Sequence, residues 1–188
     1  MSYAVSEMIK RPALFLDRDG VINVDHGYVC DKESIDFVDG IFDICKAAQD
    51  LGYMIFIITN QSGIGRGYYT QEQFINLSTW MESLFLRKGV KIDKTYFCPH
   101  HIDADIEIYK QQCFCRKPNP GMINKASVEY NLDIKNSILI GDKISDISAG
   151  IAGGIKKNFM FVQQDSKDIL QNNEVRVIKN LREIIKYM

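Results

Sequence analysis

Two aspartates separated by one residue, Asp17 and Asp19, follow the short apolar run Ala13–Leu16. Residues two apart in an extended segment point the same way, so both carboxylates can face one site. One carboxylate can attack a substrate while the other handles the proton of the leaving oxygen. Because two close carboxylates repel each other, we expect a cation between them, and hard oxygen ligands favour Mg²⁺. Taken alone, the motif is also compatible with an exposed acidic turn.

A second set of polar residues directly follows the apolar run 53–58: Thr59, Asn60, Gln61, Ser62 and Gly63. A hydroxyl and free backbone N–H groups at such a position can hold phosphoryl oxygens. An ordinary turn between a strand and a helix has the same composition. The segment by itself favours the ordinary turn, and it indicates phosphate binding only in combination with the two aspartates.

Two further elements lie in the second half of the chain. Lys117 offers a compact cation suited to a phosphate or carboxylate charge, although a lone lysine is usually solvent-exposed. Asp142 follows the apolar run 137–140 and can complete a metal shell with Asp17. Asp146 lies one helical turn further along and can brace the site.

Three cysteines and a histidine occur within eighteen residues: Cys98, His100, Cys113 and Cys115. Three thiolates and one imidazole suit a closed, structural Zn²⁺ site, and His101 is an alternative ligand to His100. Free thiols without a metal are the other interpretation. Because the intervening loop leads into Arg116 and Lys117, a zinc ion here would hold two cationic side chains in place.

Apolar runs and helical segments alternate along the chain. The runs predict strands at 13–16, 53–58, 95–97, 137–140, 159–162 and 175–178. Helical spacing and end signals predict helices over 39–51, 70–88, 121–130 and 146–152, and Asn180 with Glu183 forms a capping box for a last helix. This alternation indicates an α/β fold with a mostly parallel sheet, whose ligand lies beyond the carboxyl ends of the strands.

Composition indicates one ordinary globular domain, which we expect to comprise residues 1–188. The net charge is −1, and no run of like charges indicates a nucleic-acid or membrane surface. The first apolar run is too short for a signal peptide or a membrane span, which predicts a cytoplasmic protein with reduced cysteines. We expect a monomer whose partner is a small molecule.

In the same order, four segments of this chain resemble the four motifs of the haloacid-dehalogenase-like (HAD) superfamily: Asp17-Arg18-Asp19-Gly20, Thr59, Lys117, and Gly141-Asp142 with Asp146. The resemblance implies a three-layer, Rossmann-like fold and a Mg²⁺-dependent phosphatase. It implies an aspartyl-phosphate intermediate at Asp17, acid/base work by Asp19 and transition-state stabilisation by Lys117. It also implies that Mg²⁺ is bound by Asp17, the backbone carbonyl of Asp19, and Asp142.

Three longer segments, 17–29, 59–67 and 98–118, narrow the resemblance to phosphatases of small sugar phosphates within this superfamily. The resemblance implies that one loop contacts the sugar through Asp25, His26, Gly27 and Tyr28. It implies that the transferring phosphoryl group and nearby substrate atoms are held by Thr59, Asn60, Gln61 and Ser62. Arg116 would recognise the substrate, and Lys143 would add positive charge near Asp142. The segments between the motifs are too short for a cap domain, so we expect none.

Alternatives remain at this point. Histidinol-phosphate phosphatase, or another phosphatase of small phosphomonoesters, shares the first motif and the cysteine loop. Dehalogenation is disfavoured, because carbon–halogen displacement does not need the acid/base that Asp19 supplies. A non-catalytic, zinc-stabilised interaction module is a third hypothesis, which the presence of Asp17, Asp19 and Asp142 argues against. The resemblance itself implies a bacterial pathway that feeds lipopolysaccharide or another surface glycan.

Overall fold

The computed structural model describes residues 10–162 and 175–188. Its six strands are β1 (Ala13–Leu16), β2 (Met54–Asn60), β3 (Lys94–Cys98), β4 (Ile138–Gly141), β5 (Lys157–Phe161) and β6 (Val175–Ile178). They form one sheet in the order β3-β2-β1-β4-β5-β6, and every neighbouring pair is parallel. Each predicted strand is present, with ends that differ from the prediction by at most two residues.

The helices are α1 (Ile41–Asp50), α2 (Ser62–Gly65), α3 (Gln71–Arg87), α4 (Gly121–Tyr130) and α5 (Ile144–Ala152). Short 3-10 helices cover Lys32–Ser34, Glu107–Tyr109, Ile134–Asn136 and Leu181–Tyr187. The capping box of Asn180 and Glu183 forms as predicted, but the helix that it opens is a 3-10 helix. Helix α5 begins two residues before its predicted start, because the Asp146 carboxylate accepts a hydrogen bond from the backbone of Lys143 and caps the first turn.

Helices cover both faces of the sheet. Leu14 and Leu16 of β1 pack into a cluster with α1, α3 and the last 3-10 helix. Ala13 and Phe15, which point the other way, pack into a second cluster with α4 and α5. All four residues of β1 are therefore buried, as expected for a central strand of a parallel sheet. The expected three-layer α/β fold is confirmed.

The carboxyl edge of the sheet is covered by loops. The longest segments on this edge, 17–40 after β1 and 99–120 after β3, contain short 3-10 helices and isolated β-bridges but no α-helix or named strand within these described ranges. No second sheet stands over the edge in the part of the chain that the structure describes. None of the helices described has the length and apolar content needed to cross a bilayer.

Candidate active site

Asp17 lies at the end of β1, in the middle of the sheet, and its side chain is buried. Its backbone N–H donates to the carbonyl of Ile140 at 3.0 Å, which joins it to β4. The Nζ of Lys117 donates to Asp17 Oδ1 at 2.8 Å and to the carbonyl of Ile58 at 2.9 Å. The same Nζ lies 2.6 Å from Asp146 Oδ1. Lys117 therefore connects the ends of three structural elements around one carboxylate.

The charges around Asp17 do not balance within this cluster. Burial raises the pKa of Asp17 to about 8, with Asp146 and Asp142 contributing in the same direction and Lys117 opposing them. Burial lowers the pKa of Lys117, but the carboxylates of Asp17 and Asp146 more than offset this, so its pKa is raised overall. Three carboxylates thus surround one buried ammonium, with the Lys143 ammonium at the edge of the cluster, 3.7 Å from Asp142 Oδ2, and a further cation would relieve their repulsion.

A divalent cation fits the same group of side chains. Carboxylate oxygens of Asp17, Asp142 and Asp146 all lie within 4.8 Å of one another. Asp142 Oδ1 is buried and has no hydrogen-bond partner among the described residues. Gly20 has a φ of +98°, and a Cβ on it would overlap the Asp142 carboxylate, so only glycine lets this turn approach so closely. An all-oxygen donor set with one unpaired carboxylate oxygen suits Mg²⁺.

The carboxylate of Asp19 is held from three sides. Arg18 donates to it through Nε and Nη2 at 2.9–3.1 Å. Asn23 Nδ2 donates to Oδ1 at 3.1 Å, and Gln61 Nε2 donates to Oδ2 at 3.0 Å. The side chain keeps 17% exposure, so it borders the cavity in a fixed orientation. Arg18 and Asn23 were not among the predicted site residues.

The amides at the end of β2 hold protein groups in place. Asn60 Nδ2 donates to the carbonyl of Lys117, and the Lys117 N–H donates to Asn60 Oδ1, both at 3.0 Å. Gln61 Nε2 also donates to Thr59 Oγ1 at 2.8 Å, while Gln61 Oε1 accepts from the Tyr69 hydroxyl at 2.5 Å. Both amides were predicted to contact substrate. The structure places both on the cavity lining and adds a second task, because Asn60 holds the main chain of Lys117 and Gln61 holds the Asp19 carboxylate.

These groups surround a cavity of about 430 Å³. Most predicted catalytic and substrate-binding residues line it: Asp17, Asp19, Asp25, Gly27, Tyr28, Thr59, Asn60, Gln61, Ser62, Arg116, Lys117 and Lys143. Tyr69, Ser145 and Asp146 line it as well, although the sequence carries no pattern that marks Tyr69 or Ser145. His26 is not brought to the cavity, because its Nε2 lies 2.7 Å from Asp36 Oδ2 on the exposed side of the loop.

The mouth of the cavity is bounded by the loop after β1. Lys143 Nζ lies 3.0 Å from Asp25 Oδ2 and 3.7 Å from Asp142 Oδ2, which places its charge beside the carboxylate cluster as expected. Tyr28 has a φ of +53°, a backbone conformation that non-glycine residues seldom adopt. Its ring makes an edge-to-face contact with Tyr68, with centroids 4.6 Å apart. Charged and aromatic groups therefore both frame the entrance.

The cysteine-rich loop forms a compact cluster of potential metal ligands. The three Sγ atoms lie 3.2–3.3 Å apart, and His100 Nδ1 lies 3.4 Å from Cys115 Sγ and 3.7 Å from Cys98 Sγ. The Nδ1 of His101 instead accepts a hydrogen bond from the backbone of Asp103, so the structure brings His100 to the cluster. All five cysteines are free of disulfides. Three sulfurs and one imidazole nitrogen in this arrangement suit Zn²⁺.

This loop also positions a cation of the cavity. Arg116 Nη1 donates to the main-chain carbonyl of His100 at 3.0 Å, while the side chain lines the cavity. Burial raises the pKa of the Cys98 thiol and of the Cys115 thiol. A bound divalent cation would favour their thiolate forms. Arg116 therefore links the ligand cluster to the cavity, because it bonds to the main chain of His100 and lines the cavity.

The chain is similar to known proteins over most of its length. A family model described as HAD-hydrolase-like matches residues 114–184. A Vibrio cholerae D-glycero-β-D-manno-heptose-1,7-bisphosphate 7-phosphatase is 42% identical, over 95% of this chain and 96% of that protein. A Burkholderia mallei D-glycero-α-D-manno-heptose-1,7-bisphosphate 7-phosphatase is 45% identical, over 96% and 95%. A solved D,D-heptose 1,7-bisphosphate phosphatase from B. bronchiseptica, complexed with magnesium and phosphate, shares the fold with a TM-score of 0.80, at 24% identity over 94% of this chain and 97% of that one.

The fold and the carboxylate–lysine site define a phosphatase of the HAD class. The Vibrio cholerae and Burkholderia mallei proteins match nearly the whole of this chain, which identifies one family within the class. The chain belongs to the family of the D-glycero-D-manno-heptose-1,7-bisphosphate 7-phosphatases.

Proposed function

We propose that this enzyme hydrolyses the 7-phosphate of D-glycero-D-manno-heptose 1,7-bisphosphate and releases heptose 1-phosphate. The observation that carries the proposal is the buried Asp17 at the floor of the cavity, paired with Lys117 and facing Asp142. The names of the relatives point to the heptose substrate rather than to histidinol phosphate. The product would supply a bacterial pathway for lipopolysaccharide or another surface glycan.

The chemistry proceeds in two displacements at phosphorus. An Asp17 carboxylate oxygen forms a bond to the phosphorus of the 7-phosphate, and the bond from phosphorus to the sugar oxygen breaks. The Asp19 carboxyl group gives its proton to that leaving oxygen. Asp19 then takes a proton from water as the water oxygen attacks the aspartyl phosphate, which releases inorganic phosphate and restores Asp17.

Lys117 and the end of β2 stabilise the group in transfer. The ammonium of Lys117 is already beside Asp17 Oδ1, so it can balance charge on the phosphoryl oxygens without moving far. The Thr59 hydroxyl and Ser62 border the same part of the cavity and can donate to those oxygens. Mg²⁺ held by Asp17, Asp142 and the backbone carbonyl of Asp19, with Asp146 bracing Lys117, would supply further positive charge for this transfer.

The preference for the 7-phosphate follows from shape and charge. A primary phosphate on an extended arm can reach the recessed Asp17, which leaves the 1-phosphate near the rim. Arg116 borders the cavity and is fastened to the cysteine loop, so its planar guanidinium is pre-positioned for phosphate oxygens. Asp25, Gly27, Tyr28 and Lys143 line the mouth, where they can contact the sugar. His26 contributes to the shape of this loop through Asp36.

Zinc at Cys98, His100, Cys113 and Cys115 would be structural. Four protein ligands fill a tetrahedral shell and leave no position for substrate. The ion would close the loop that carries Arg116 and Lys117, so its effect on catalysis would be indirect. We further propose a single-domain, monomeric, cytoplasmic enzyme, for which size-exclusion chromatography with light scattering tests the monomer.

Phosphate release from heptose 1,7-bisphosphate and from histidinol phosphate, measured side by side, tests the proposed function. We expect the bisphosphate to be preferred and heptose 1-phosphate to accumulate. EDTA should stop turnover, and added Mg²⁺ should restore it. A preference for histidinol phosphate would overturn the substrate assignment, and turnover that survives EDTA would overturn the role of Mg²⁺.

A further inference from the structure

Arg18 is among the largest fully buried side chains of the described protein, with 1% exposure. Its Nε lies 3.1 Å from both carboxylate oxygens of Asp19, and its Nη2 donates to Asp19 Oδ1 at 2.9 Å. The same Nη2 donates to the backbone carbonyl of Val29 at 2.9 Å. One planar guanidinium thus connects the proposed acid/base with a backbone carbonyl eleven residues further along the chain. That carbonyl ends the segment 25–29, called the mouth loop below.

The surroundings of Arg18 keep this guanidinium in one place. Its Cζ lies 5.5 Å from the centroid of the Phe74 ring, which belongs to a small apolar cluster with Ile64 and Tyr69. Its Nη1 is buried and has no hydrogen-bond partner among the residues that the structure describes. A buried cation with an unpaired N–H is costly, and a well-packed apolar side chain would often be as stable or more stable. Stability alone therefore gives a weak reason for arginine at this position.

The two acceptors of Arg18 belong to different parts of the site. Asp19 borders the cavity beside Asp17, whereas Val29 ends the loop whose Asp25, Gly27 and Tyr28 line the mouth. A lysine could not serve both acceptors equally well, because its ammonium lacks the planar fork of arginine. The hydrogen bonds consequently link the orientation of the Asp19 carboxyl group to the position of the loop that receives the sugar.

We propose that Arg18 is a positioning residue, which aims the Asp19 carboxyl group at the leaving oxygen and ties it to the mouth loop through the Val29 carbonyl. The proposal rests on the proposed acid/base role of Asp19. Arg18 itself touches neither substrate nor the reacting atoms. Through Asp19 it acts on the proton that is transferred when the bond from phosphorus to the leaving oxygen breaks, and through Val29 it acts on the position of the loop; only the first effect depends on the leaving group of an aryl phosphate.

The need for that proton depends on the leaving group. A sugar alkoxide is a poor leaving group and must be protonated as it departs, whereas a dinitrophenolate leaves as a stable anion without a proton. Misdirecting Asp19 should therefore harm the sugar phosphate strongly and the activated aryl phosphate weakly. A general loss of folded structure would lower the rates for both substrates by the same factor.

The test measures kcat/KM, which reports the steps up to departure of the leaving group, for Arg18→Met and Arg18→Lys. The substrates are heptose 1,7-bisphosphate and a series of aryl phosphates from phenyl to 2,4-dinitrophenyl phosphate. We expect Arg18→Met to lose about 10²–10⁴-fold on the bisphosphate and less than about 10-fold on the dinitrophenyl ester, the scale of a lost acid/base contribution. Arg18→Lys should show the same trend with smaller losses, because it keeps the charge without the fork.

Phe85→Leu is the matched control, since Phe85 is fully buried in the cluster on α1 and α3, which is separate from the Phe74 cluster beside Arg18. It should lower the melting temperature without steepening the dependence on the leaving group. If Arg18→Met does not fold, the same substrate series measured on Arg18→Lys tests the proposal. Equal losses across all substrates would overturn the proposal for Arg18. A wild-type enzyme that cleaves the aryl esters but not the bisphosphate would overturn the heptose assignment, while the aryl series would still decide the role of Arg18.

Discussion

The side-chain amide of Asn60 makes two hydrogen bonds of 3.0 Å with the main chain of Lys117, one to its carbonyl and one from its N–H. The two residues are 57 positions apart in the chain. This pairing joins the end of β2 to the segment after the cysteine loop. As a result, the carbonyl and the N–H of Lys117 are both fixed by Asn60, and the Lys117 ammonium reaches Asp17 from a fixed backbone.

Asn60→Leu should destabilise the protein by about 1–3 kcal/mol, because it leaves two main-chain groups of Lys117 without their partners. It should also lower kcat, since Lys117 loses its alignment with Asp17. Chemical denaturation and steady-state kinetics measure the two effects. Asn136→Ala removes an exposed amide that, among the described residues, bonds to Asp133, and it should change neither by much. An unchanged kcat in Asn60→Leu would show that Lys117 is aligned by other contacts.

Asp17→Asn should abolish turnover, because an amide is a poor nucleophile and a weaker ligand for Mg²⁺. Phosphate release from heptose 1,7-bisphosphate, with mass spectrometry to exclude deamidation, provides the measurement. Asp39→Asn is a suitable control, because Asp39 is exposed and pairs with Arg182 on the surface. Full activity in undeamidated Asp17→Asn would remove Asp17 from its proposed role.

Arg116→Ala should harm the bisphosphate far more than a generic monophosphate. Losing one charge-assisted contact costs about 1.5–3 kcal/mol, or roughly 10–150-fold in kcat/KM. The comparison of heptose 1,7-bisphosphate with an aryl phosphate measures this difference. Equal losses on the two substrates would place Arg116 at the reacting phosphoryl group instead of the 1-phosphate.

Purified protein should contain one tightly bound zinc per chain, and Cys113→Ser should lose the ion and lower the melting temperature. Metal analysis by mass spectrometry and thermal unfolding check both statements. Cys30→Ser is the matched control, because Cys30 is a half-buried free cysteine outside the ligand cluster. A full zinc content in Cys113→Ser, or none in the wild type, would contradict the tetrahedral site.

The stability of protein stripped of metal should depend on pH through the buried carboxylates. Burial raises the pKa of Asp142 to about 6 and that of Asp17 to about 8, from 3.8. From the ordinary value of 3.8 up to about 8, the folded state binds more protons than the unfolded state, so the free energy of unfolding falls as pH rises. We expect the melting temperature of EDTA-treated protein to fall between about pH 5 and pH 8.

Two comparisons give this pH prediction its controls. Mg²⁺ binds the ionised carboxylates, so adding it should reduce the fall at the upper end of the range. Asp142→Asn removes one of the two titrating groups and should flatten the curve in EDTA. A melting temperature that rises steadily over this range, with no effect of Asp142→Asn, would contradict the raised pKa values.

Local patterns in the sequence were sufficient to predict the strands of the sheet and the edge of the sheet at which the candidate active site lies. Four apolar residues followed by Asp17 predict β1 and its end, because burial and alternation are properties of a few neighbouring residues. Thr70 likewise predicts the start of α3, where its hydroxyl caps the backbone of Gln73. Once the strands are known to be parallel, their carboxyl ends must share one edge, so Asp17 and Asp142 were expected to meet.

The tertiary structure decided which polar groups pair with one another. Asn60 and Gln61 were expected to contact substrate, and the structure places both on the cavity and also bonds them to Lys117, Asp19 and Thr59. It also places His100, and not His101, beside the three cysteines of the candidate zinc site. It revealed the buried fork of Arg18 between Asp19 and Val29. A side chain's partner depends on distances of a few ångströms between segments far apart in the chain, and those distances are set only when the helices and the loops pack against the sheet.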